Sequence, residues 1–124
     1  MIEKHLQDCD LSSFFISPDL SSAEIELSSN YNGDTLAKIV CKRLLIIQLN
    51  SALAFDHSKL PALVGEFQVT SLDRESAVEC LRNHNYGFER IGSSFSDSSA
   101  TVWWIRIEGG EIECQIIAMD CDFL

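Results

Sequence analysis

Residues 36–49, LAKIVCKRLLIIQL, decide what kind of fold this chain builds. A near-continuous apolar run of this length suits either a buried helix or two short strands. Ile39-Val40 and Ile46-Ile47 are β-branched, which stiffens χ1 and favours extended backbone, and Lys42-Arg43 interrupts the run at its middle. Two strands with a tight connection are expected; the alternative is one central helix starting near Asp34.

Upstream, residues 14–29, FFISPDLSSAEIELSS, hold two short strand candidates around Pro18. In AEIEL, Ala23, Ile25 and Leu27 share one face and Glu24 and Glu26 the other. Asn32-Gly33 tolerates the positive φ angles of a tight turn, so a hairpin is expected from near Ser29 to near Thr35. Downstream, residues 50–60 form a connection. PALVGEFQVTSL then alternates as a strand, with Gly65 marking a bulge or a close approach of backbone. From Asp73 the period changes: Asp73 can cap a helix, Leu72 can staple against Ala77, and Ala77, Val78 and Leu81 make a narrow apolar stripe. This predicts one amphipathic helix over about 73–85. A further short strand is expected in YGFERIG, followed by the serine-rich loop GSSFSDSSA.

The end of the chain carries WWIRIEGGEIECQII, residues 103–117. A two-residue Gly109-Gly110 turn would set Ile107 opposite Ile112, Ile105 opposite Cys114 and Trp103 opposite Ile116 on a core face. Arg106 would then face Glu113, Trp104 would face Gln115, and Val102 would face Ile117. A slip of one residue would put Arg106 among the isoleucines, so the apolar pattern is expected to select this pairing. The same register sets Glu108 against Glu111, a mildly destabilising like-charge pair. On the second face, Trp104 is either covered by the helix or an exposed aromatic anchor.

The whole chain has 124 residues and net charge −10, with mean hydropathy +0.06. That is one domain, 1–124, long enough to bury a core without staples. No cationic start precedes an apolar run and no segment approaches about 18 apolar residues, so a cytoplasmic protein is expected. Five cysteines at irregular spacings suit reduced thiols better than a disulfide framework. The charge is uneven: up to Thr35, Lys4 stands against seven acids, and beyond Gly92, Arg106 stands against six. Such a field repels nucleic acid and anionic membrane and attracts a basic protein.

Motifs for chemistry are sparse. Cys80 and His84 are four apart on the expected helix and would supply half of a zinc site or the start of a nucleophilic pair. Nothing marks further ligands, an orienting residue or an oxyanion hole. No phosphate loop, dinucleotide fingerprint or nucleophile elbow occurs, so no catalytic residue, metal or cofactor is assigned.

The strand-rich first half, CKRLLIIQL at 41–49 and IRIEGGEIECQIIAMDCDFL at 105–124 resemble the layout of small bacterial immunity proteins of polymorphic toxin systems. The resemblance covers most of the chain and implies binding and neutralising a cognate toxin, often a basic nuclease. It carries no fixed functional residues. The expected fold is α+β: an antiparallel, meander-like sheet of about six to eight short strands with one main helix packed on it. The expected function is non-enzymatic binding of a basic partner through Glu108, Glu111, Glu113, Asp97, Asp120 and Asp122, with Trp104 as aromatic anchor. A self-associating module, such as a homodimer through a sheet edge, is the second reading, and a small-ligand domain the third.

Overall fold

The structure is a computed structural model that describes residues 2–51, 60–84 and 101–124, with residues 50 and 51 described as backbone alone. Its elements are β1 (Ile2–Ile16), β2 (Ser22–Ser29), β3 (Thr35–Ser51), β4 (Ala62–Leu72), α1 (Arg74–Asn83), β5 (Val102–Glu108) and β6 (Ile112–Phe123). All neighbours pair antiparallel in the ring order β1-β2-β3-β6-β5-β4, and β1 closes on β4. This overturns the expected α+β meander of short strands: six strands close into a barrel, and α1 lies against its outer wall.

Two left-handed bends explain why the barrel was hidden. Asp8 and Arg43 adopt positive φ, 51° and 53°, inside strands. A single left-handed residue bends a strand and resets which side chains face inward. Leu6 and Cys9 therefore both face the interior across Asp8, as Cys41 and Leu44 do across Arg43. Lys42-Arg43 is thus a bend within one 17-residue strand, not a connection between two, and neither a helix nor a break occurs there.

The interior is packed with apolar side chains: Leu11, Ile25, Leu27, Ile39, Val64, Phe67, Ile105, Ile107, Ile112 and Ile116 are all buried. Each such side chain contributes roughly 1.5–3 kcal/mol by leaving water. Outward positions carry Glu24, Glu26, Arg106, Glu108 and Glu113. An apolar inside and a charged outside invert the pattern of a membrane-spanning barrel. Among the described residues no helix is long and apolar enough to cross a membrane.

The local signals at Asn32-Gly33 and Asp73 hold. Gly33 takes φ +76° and its N–H donates to the Ser29 carbonyl at 3.0 Å, closing the β2–β3 hairpin at the expected place. The Asp73 carboxylate accepts the Ser76 N–H at 2.8 Å and caps α1. That backbone hydrogen bond holds the Asp73 carboxyl below its ordinary range. Ala77, Cys80 and Leu81 then pack on Val102, Ile117 and Met119 of the outer wall. The strand expected in YGFERIG, the serine-rich loop and Asp97 lie outside the described residues.

The final hairpin keeps its expected faces but not its expected partners. Trp103 lies opposite Ala118, Ile105 opposite Ile116, and Arg106 opposite Gln115 rather than Glu113. The shift is two residues, which preserves the parity that burial demands. The turn is wider than two residues because it is folded onto β4: the Glu111 N–H donates to the Leu63 carbonyl at 2.9 Å. The shift moves Glu108 away from Glu111, and on the other side of β5 Glu108 faces Glu66 of β4.

Candidate functional site

Two features of the outer wall of β4–β6 concentrate polar side chains. One is the seat beneath the C-terminal end of α1. There the Trp104 indole N–H donates to Gln115 Oε1 at 3.1 Å, and His84 Nε2 reaches the same oxygen at 3.1 Å. His84 Nδ1 lies 2.8 Å from the Cys80 carbonyl. The imidazole meets the Trp104 ring edge-on at 6.1 Å, and the Arg106 guanidinium carbon stands 4.3 Å from the centroid on that ring. Arg106 also donates to Gln68 on the neighbouring strand. Arg106 Nε and Thr70 Oγ1 are buried with no hydrogen-bond partner among the described residues.

This geometry gives Trp104 a structural post. It is half-buried, packed with the α1 cluster, and hydrogen-bonded through its single donor. Beside it lies a cleft of about 360 Å³ lined by Ser76, Glu79, Cys80, Asn83, His84 and Trp104 among others. The Cys80 sulfur is 3.9 Å from His84 Nδ1, but that nitrogen already faces the Cys80 carbonyl, and burial pushes the Cys80 thiol up. A thiol held protonated beside an engaged imidazole is a poor nucleophile. Among the described residues no group of three His, Cys, Asp or Glu side chains converges to hold a metal.

The second feature is the β5–β6 tip. Leu63 N–H donates to a Glu111 carboxylate oxygen at 3.2 Å, so both the backbone and the side chain of Glu111 are tied to β4. The approach is close: a Cβ on Gly65 would stand 2.5 Å from the Gly109 carbonyl oxygen, and one on Gly110 would stand 2.1 Å from that of Leu63. Only glycine fits at either position. Here Glu66 and Glu108 lie directly opposite across β4 and β5, and Glu108 and Glu113 line a polar cleft of about 160 Å³. The neighbouring basic side chains are His5, 2.9 Å from Glu66, and Arg106, 3.9 Å from Glu108. The tip thus gathers Glu108, Glu111 and Glu113, which sequence reasoning named, with Glu66, which it missed because β4 and β5 are far apart in the chain.

The remaining acids stand elsewhere. Asp120 accepts two hydrogen bonds from Arg43, from Nε at 2.6 Å and Nη2 at 2.8 Å. Asp122 lies opposite Val40. Lys38 faces Glu26 and Lys42 faces Asp120, so the cations of β3 serve β2 and the far end of β6. Arg43 holds the Asp120 carboxyl below its ordinary value. A depressed carboxylate adds stability above its unfolded pKa, about 3.9, and loses it as pH falls through the folded value. Both partners are about half exposed, so Asp120→Asn should cost at most about 1 kcal/mol at neutral pH. The urea midpoints of wild type and variant should converge as pH falls through the lowered folded value of Asp120; a gap that persists in acid would refute a charge-based role.

No family model and no curated protein matches the chain. Among solved structures it is similar to an uncharacterized protein from Neisseria gonorrhoeae, with a TM-score of 0.57 and 15% identity over 97% of this chain and 94% of that one. The likeness is one of fold.

Proposed function

We propose that this chain is a non-enzymatic binding protein that neutralises a basic protein partner, of the kind found in toxin domains, through the acidic end of its barrel. The observation that carries the reading is the outward row Glu66, Glu108 and Glu113 across three adjacent strands, with Glu111 seated beside it. Carboxylates directly opposite one another cost stability, roughly 0.2–1 kcal/mol per pair. A cationic partner relieves that repulsion and is drawn in faster by the same field. Among the described residues the barrel interior is lined by buried apolar side chains, which favours a surface site over an internal one. Among the described residues each strand pairs on both sides over part of its length, which leaves less edge for the second expectation, a sheet-edge dimer.

The test is co-expression with a basic effector domain encoded beside this chain. Growth rescue and a one-to-one complex are expected. Glu108→Lys with Glu113→Lys should slow association at least about tenfold at low salt and flatten its salt dependence. Failure of rescue and of complex formation overturns the function; rescue with an unchanged association rate overturns this surface.

A further inference from the structure

Cys41 of β3 and Cys121 of β6 are directly opposed in the antiparallel ladder. Opposed residues in such a ladder have Cα atoms about 4.5–5.5 Å apart, inside the roughly 4.4–6.8 Å that a disulfide spans. Cys41 is fully buried and Cys121 half-buried, and both are free thiols that pack against the barrel core. Cys114 lies further along β6, opposite Leu49, and Cys9 and Cys80 lie on β1 and α1. The odd set of five thiols thus contains one register-matched pair.

We propose that Cys41 and Cys121 are a dithiol modification site, oxidised by low-molecular-weight disulfides to a covalent bridge between β3 and β6. The half-exposed Cys121 reacts first. Its thiolate attacks one sulfur of the small disulfide, forms a mixed disulfide and expels one small thiolate, which takes up a proton. The Cys41 thiol then loses its proton, attacks the Cys121 sulfur and expels the second small thiol. Two protein thiols are oxidised by two electrons, one small disulfide is reduced, and the two protons leave on the two small thiols. The hydrogen bond with Cys121, together with burial, pushes the Cys41 thiol well above its ordinary pKa. The second step is therefore the slow one and quickens as pH rises.

The experiment incubates the native full chain with glutathione disulfide at several pH values, alkylates the remaining thiols and maps the peptides by mass. Accessible thiols counted after denaturation should fall from five to three, with a mass lower by two hydrogens and a single Cys41–Cys121 linkage. The closure rate should rise with pH, and the oxidised form should unfold at a higher urea concentration than the reduced form. Cys41→Ser should stop at a glutathione adduct on Cys121, and Cys121→Ser should keep all its thiols. A linkage through Cys114, or five alkylated thiols in wild type after prolonged oxidation, overturns the proposal. The wild-type peptide map decides the matter even if either variant fails to fold.

Discussion

Gly110→Ala is expected to lower the unfolding free energy by about 3 kcal/mol or more, because the added methyl meets backbone that cannot swing aside. Its Cβ would stand 2.1 Å from the Leu63 carbonyl oxygen, so the tip must lift off β4. Lifting breaks the Glu111 N–H to Leu63 bond and the Leu63 N–H to Glu111 bond together. Gly65→Ala approaches the same contact from the other strand, with its Cβ 2.5 Å from the Gly109 carbonyl oxygen, and should act in the same direction. Gly33→Ala is the comparison. Gly33 has positive φ but nothing within 4 Å of an added Cβ, so that change carries the backbone cost alone, about 1–2 kcal/mol. Urea midpoints rank the three, and a Gly110 variant no weaker than the Gly33 variant would mean that the tip is not seated on β4.

The second large effect belongs to Phe67, the largest fully buried side chain among the described residues. Phe67→Ala leaves a cavity in the centre of the barrel and should cost about 3–5 kcal/mol. A domain of ordinary stability has only about 5–15 kcal/mol to lose. Phe15 lies on the same barrel but is 50% exposed, and Phe15→Ala should stay within about 0.5 kcal/mol of neutral. Equal losses at the two positions, measured by thermal or urea unfolding, would show that β1 and β4 do not close the ring as described.

Local chemistry was legible in the sequence wherever one residue type answers one backbone demand. Asp73 announces a helix start because a short carboxylate can reach the free N–H groups of the first turn, and Asn32-Gly33 announces a hairpin because both tolerate positive φ. The faces of β5 and β6 were legible too, since burial enforces parity on Ile105, Ile107, Cys114 and Ile116. Register was not, because the two-residue shift depends on Gly65 of another strand receiving the tip. Closure was hidden for a related reason. Asp8 and Arg43 break the alternation of β1 and β3 through conformations that their side chains do not advertise, so MIEKHLQDC never reads as a strand. Of the candidate site, Glu108, Glu111 and Glu113 could be named from one hairpin. Glu66 required the β4–β5 pairing, and Asp120 was already held by Arg43.

The glycine interlock also has an entropic side. A loop that must order itself on contact surrenders freedom with every side chain it fixes, about 0.5–1.5 kcal/mol for each long one. Here the tip is pinned before any encounter: Gly65 and Gly110 let two stretches of backbone touch, and Glu111 is anchored through both its amide and its carboxylate. Under the proposed function, a cationic surface arriving at Glu108 and Glu113 would meet charges on a pinned mount, and little of the attraction would be lost to ordering.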